Sequence, residues 1–126
     1  MITESETRKL LIEACHSSSA AEQHILGELQ SPEFIGLLVC IAVDADDHQG
    51  DAPMTAAFYL SKASPTLTKQ HEAALVSLLA TADGYTGSVA LVLSSMKSLE
   101  AKPLIARMAA EGYGHPFPEA LARYEA

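Results

Sequence analysis

Apolar residues recur along this chain at three- and four-residue intervals, the spacing that gathers them on one face of an α-helix. Leu10, Leu11 and Ala14 make the first stripe, and Ile25, Leu26 and Leu29 the second. Start signals precede both. Thr3 with Glu6 has the capping-box spacing, in which each side chain accepts a bond from the other residue's backbone N–H. The serines at 17, 18 and 19 interrupt the pattern, and Ser19 with Glu22 repeats the box. Ser31-Pro32-Glu33 then supplies a cap, a proline for the first helical position and an acid for the first turn.

The third segment, Phe34 to Val43, is apolar all round. Its β-branched residues would suit a buried strand, but its start signal and the want of a second strand to pair with it favour a helix. A helix with no polar face belongs in the middle of the packing, so this run is expected to be the hub. After the acidic loop Asp44 to Asp51, a fourth helix with Pro53 near its start carries Met54, Ala57, Phe58 and Leu60, and Ser64-Pro65 closes it. Thr68 is expected to begin a fifth, with Leu75, Leu78, Leu79 and Ala82 on one face and Gly84 as its stop. Val89, Val92, Leu93 and Met96 mark a sixth ending near Ser98. Pro103 and Gly112 bracket a seventh, and Pro118 opens a short last helix with Leu121 and Tyr124. Linkers this short make consecutive helices antiparallel neighbours. The expected class is all-α, in one domain over residues 1–126.

Internal similarity is present at several offsets. Ala57-Phe58-Tyr59-Leu60-Ser61 aligns with Ala90-Leu91-Val92-Leu93-Ser94, and Leu37 to Ala42 with Leu75 to Ala80. Asp83-Gly84-Tyr85 is echoed by Glu111-Gly112-Tyr113. On these segments the chain resembles the HEAT and armadillo class of α-α repeat proteins, with Pro53 and Pro103 near helix starts. The resemblance implies a short stack of antiparallel hairpins, Ser19–Ala45, Ala52–Ala82 and Tyr85–Glu111, between end caps at Thr3–His16 and Pro118–Tyr124. It also implies a concave binding surface lined by the second helices. An irregular helical bundle is the alternative.

Composition narrows the function classes. The 126 residues are 48% hydrophobic and 19% charged, a balance of folded domains and not of disorder. The net charge is −8, with eight scattered basic residues, so neither nucleic acid nor an anionic membrane is an expected partner. Two cysteines, Cys15 and Cys40, give no disulfide framework and no zinc or redox signature, and both sit in apolar patterns that suit buried thiols. The acidic start, Met1 to Glu6, is unlike a targeting peptide, and the longest apolar run is too short for a bilayer. A cytoplasmic protein is expected.

Candidate chemistry is sparse. Asp44, Asp46, Asp47, His48 and Asp51 form the densest cluster. Such oxygens could hold a divalent cation, but the spacing is not that of an EF-hand. As a solvated loop, the cluster would use Asp51 to cap the next helix. Asp44 to Asp47 follow a helix C-terminus, whose dipole disfavours anions, so something positive should compensate them. Cys15, His16 and His24 are soft donors without a fourth partner of evident geometry. His71-Glu72 lacks the second histidine of a metalloprotease helix. Tyr113, His115 and Phe117, stiffened by Pro116 and Pro118, could anchor a partner or fold back to cap the last hairpin.

The expectation drawn from all this is a non-catalytic protein–protein interaction module. It would be an adaptor, inhibitor or immunity-type partner of a basic protein, with no cofactor. The alternative is a small metal-dependent protein or enzyme centred on Asp44–Asp51. A homodimer would follow if Phe34–Val43 were left uncovered.

Overall fold

The computed structural model describes residues 2–47, 50–81 and 86–125, without the side chains of Ala45 and Thr86. His48, Ala82, Asp83, Gly84 and Tyr85, which carry several of the sequence expectations, lie outside the described residues. The described chain is all-helical, in the order α1 (Glu4–Cys15), α2 (Ser19–Glu28), α3 (Pro32–Ala42), α4 (Asp51–Leu60), α5 (Pro65–Thr68), α6 (Glu72–Ala80), α7 (Thr86–Ser95), α8 (Lys102–Ala110) and α9 (Phe117–Ala122). Short 3-10 turns at Ala45–Asp47, Lys69–His71 and Arg123–Glu125 complete it.

The helix starts follow local chemistry. Thr3 and Glu6 form the full capping box, with both bonds at 3.1 Å, and hydrogen bonding by the Thr3 side chain and backbone to the Glu6 carboxyl holds it below the usual carboxylate range. Ser31 caps α3 by accepting from the Phe34 N–H at 3.2 Å, with Pro32 in the first turn. Other starts differ from the sequence expectation: Ser64 caps α5, so Ser64-Pro65 opens a helix and Thr68 ends it, and the helix expected from Thr68 begins at Glu72. Ser18, not Ser19, caps α2, accepting from the Ala21 N–H at 3.2 Å. This puts Ala21 where a box needs an acceptor, so the cap is a single bond. Asp51 lies inside α4 and Gly50 is the cap residue, without a side-chain cap bond. The carboxylate of Asp51 is thereby free to bond elsewhere.

Three helices end in one way. Beyond α1, α7 and α8 a residue takes the left-handed conformation: Ser17 (φ 75°), Lys97 (φ 53°) and Gly112 (φ 85°). In each case two backbone N–H groups turn back to the last carbonyls, as in Ser18 to Glu13 O at 3.0 Å and Tyr113 to Met108 O at 3.2 Å. This is the Schellman arrangement, for which only Gly112 has the preferred residue.

Packing sets the architecture. Among the described residues, the helices that follow one another in the chain pack extensively as α1 with α2, α3 with α4, α6 with α7 and α8 with α9, and α1 packs as extensively on α4. The sequence-based hairpins pair α2 with α3, α4 with α6 and α7 with α8, so the observed pairing is shifted by one element. Between α2 and α3 the chain turns through only 119°. α4 also packs on α1 and α7, and α7 on α9, which makes α4 and α7 the spine.

α3 is therefore not the hub. Phe34, Ile35, Leu38, Val39, Ile41 and Ala42 are buried, while Cys40 and Val43 are exposed on its outer edge. α4 serves better because it is Ala-rich: Ala52, Ala56 and Ala57 are at most 2% exposed and let α1, α3 and α7 approach closely. The apolar run that would have driven dimerisation if uncovered is largely covered. No single helix among the described residues is long and apolar enough to cross a membrane.

Candidate functional site

α4 has two faces. Its buried face makes the spine, while Asp51, Met54, Phe58 and, just past the helix end, Lys62 follow one another at three- and four-residue steps along the other side. Met54 and Phe58 are 43% and 46% exposed, unusual for large apolar side chains on the central helix of a small domain. They line a groove of about 1010 Å3. Ala14 and Cys15 from the end of α1 form one end, Gly87, Ser88 and Leu91 of α7 the opposite wall, and Tyr113, His115, Pro116 and Phe117 a lip; Arg123 also borders it.

The lip is seated by a missing side chain. A Cβ at Gly87 would come within 2.8 Å of Pro116 Cδ, so the segment rests directly on the α7 backbone. The His115–Pro116 peptide bond is cis, and Gly114 has φ 77°. Tyr113 and Phe117 meet edge to face at 5.5 Å, and Phe58 and Tyr59 do so at 5.2 Å. His115 Nδ1 lies 3.0 Å from Glu119 Oε2, and this bond holds the Glu119 carboxyl below its usual range. Burial pushes the Tyr59 hydroxyl's pKa up.

Groove charge runs against the charge of the molecule. Its lining includes Lys62 and Arg123 and, among the described residues, no carboxylate. Lys62 Nζ stands 4.9 Å over the Phe58 ring. Arg123 donates to Leu91 O at 3.1 Å and Ser95 Oγ at 2.6 Å, both neutral acceptors. Neither cation has a carboxylate partner among the described residues.

The acidic loop is arranged differently. Arg8, two turns before the end of α1, donates from Nη2 to Asp44 at 2.6 Å, from Nη1 to Asp47 at 3.0 Å and from Nε to Glu4 at 3.3 Å. The positive charge that the loop required comes from within the chain. Asp46 is exposed and donates its backbone N–H to Asp44 Oδ1 at 2.9 Å. Asp51 turns the other way, its carboxylate 3.1 Å from His16 Nε2. Of the sequence-nominated residues, Tyr113, His115 and Phe117 thus come together on the groove. Asp51 stands at its α1 end, and Asp44 and Asp47 are held on Arg8.

Sequence reasoning did not nominate Cys15, Met54, Phe58, Lys62 or Arg123 for a binding surface. A signal existed for three of them. Met54, Phe58 and Lys62 recur every four residues on the side of α4 opposite Ala52, Ala56 and Tyr59, one apolar face more than a core needs. Arg123 offers no such signal, because only the folded chain brings it beside Leu91.

No family model, curated protein or solved structure matches this chain.

Proposed function

We propose that this protein is a non-catalytic protein–protein interaction module that grips its partner in the groove between α1, α4, α7 and the 113–117 lip. One observation carries the reading: Met54, Phe58 and Tyr113, three of the large apolar side chains left exposed, converge on one concavity. Exposed apolar surface gathered in this way is the usual mark of an interaction site, and aromatic rings dominate binding energy there. The groove, rather than the net charge, specifies what enters it. Its cations without carboxylate partners suit a partner segment with an apolar anchor next to an acidic residue. The acidic exterior beyond the groove suits basic surface elsewhere on the same partner.

The HEAT-like stack remains the finer reading of the fold. Its support is the pairing of consecutive helices along a spine of α4 and α7.

Selection from a random peptide library tests the proposal. Peptides enriched on the wild-type protein should share an aromatic or aliphatic anchor beside Asp or Glu. They should lose at least about tenfold in affinity with Phe58→Ala, since a hot-spot truncation costs about 2 kcal/mol or more. Leu99→Ala, which removes the most exposed apolar side chain away from the groove, should leave binding unchanged. Enrichment of basic peptides, or equal binding by Phe58→Ala, would overturn it.

A further inference from the structure

We infer that Cys15, His16 and Asp51 form a binding site for a borderline divalent transition metal of the zinc class, at the α1 end of the groove. The Cys15 Sγ, a ring nitrogen of His16 and a carboxylate oxygen of Asp51 all lie within 4.8 Å of one another. Two segments 35 positions apart supply them: the end of α1 and the first turn of α4. In a tetrahedral zinc site the donor atoms stand roughly 3.3 to 3.8 Å apart, given metal–ligand bonds of about 2.0–2.3 Å. The donors therefore need to close by at most about 1–1.5 Å to reach that spacing.

The donor set selects the metal. One thiolate, one imidazole and one carboxylate suit zinc and its neighbours, whereas calcium and magnesium require oxygens alone. The backbone supports a cation as well. His16 is the C-cap of α1, where the helix dipole presents its negative end. The Schellman turn through Ser17 fixes the point at which the chain leaves that helix. Gly50 serves as the cap residue of α4, which leaves the Asp51 carboxylate to reach His16. Arg8, two turns earlier on α1, is engaged by three carboxylates. Three protein ligands leave a fourth position for water or for a partner's donor, and Cys15 itself lines the groove.

Cobalt(II) and zinc titrations of the peptide-free protein decide the matter. Wild type should bind one equivalent of zinc by calorimetry, and cobalt should produce a thiolate charge-transfer band. Even an outer-shell contact is worth about 10–100-fold in metal affinity, so Cys15→Ser, His16→Ala and Asp51→Asn should each cost at least about tenfold. Cysteine and histidine controls elsewhere, Cys40→Ser and His24→Ala, should match wild type. Phe58→Ala should also bind metal normally, which separates this site from the peptide reading of the groove. Affinity should rise with pH, since the ligands bind deprotonated. Substoichiometric binding, a band that survives Cys15→Ser, or a loss caused by Cys40→Ser would overturn the inference.

Discussion

At the scale of single residues, Arg8 decides how the acidic loop is read. Sequence alone marked Asp44 to Asp47 as anions in the wrong place, beside a helix C-terminus, and required a compensating charge. It could not say whether that charge was a cation, a partner or a side chain, because Arg8 stands 36 positions before Asp44. The guanidinium joins Glu4, Asp44 and Asp47, and so ties α1 to the loop that leads into α4. Its removal in Arg8→Ala leaves the Asp44 and Asp47 carboxylates without their cation, Asp44 keeping the Asp46 N–H. Both are partly exposed, at 30% and 44%, so solvent recovers much of the loss. The expected destabilisation is about 1–2 kcal/mol in urea unfolding, narrowing as salt is raised. An unchanged midpoint at low salt would mean that the triad contributes nothing.

At the scale of elements, what the sequence encodes locally is legible and what it encodes through packing is not. The capping box at Thr3, the Ser-Pro-Glu start of α3 and the stop at Gly112 are each written within a few residues, and each forms as expected. The stripes are legible too: Leu11, Ile25, Leu75, Leu79, Leu93 and Ile105 are all fully buried. Helix pairing is different, because it depends on which faces meet. Hydrophobicity promoted α3 to the centre, whereas the small side chains of α4 win that place by allowing three neighbours to approach. The lip of the groove is a second case. Its position depends on Gly87, which looks like an ordinary helix-weakening glycine in the sequence. Gly87→Ala gains helix propensity of about 0.5–1 kcal/mol but drives a methyl into Pro116, and overpacking typically costs about 1–3 kcal/mol. The variant should show faster hydrogen exchange at the Tyr113 and Phe117 amides, which now bond to Met108 and Gly114. Slower or unchanged exchange would show that the lip does not rest on α7.

At the scale of the whole molecule, charge and shape give separate instructions. A total of −8 describes the surface on average, and it is the basis for expecting no nucleic-acid stripe. It also conceals that the groove along α4 is bordered by Lys62 and Arg123. Acids bonded to basic or capping partners, among them Glu6, Glu72 and Glu119, are already committed to holding the fold. Net charge is a sum over such groups, and a site is the local remainder. The central claim is that this groove is where the protein binds. Methionine methyl groups report on it directly, because Met54 lines the groove while Met108 is buried on α8 away from it. In methyl NMR of 13C-methionine protein titrated with a selected acidic-apolar peptide, the Met54 resonance should move with the bound fraction while that of Met108 stays fixed. A fixed Met54 signal under saturating peptide would contradict the account.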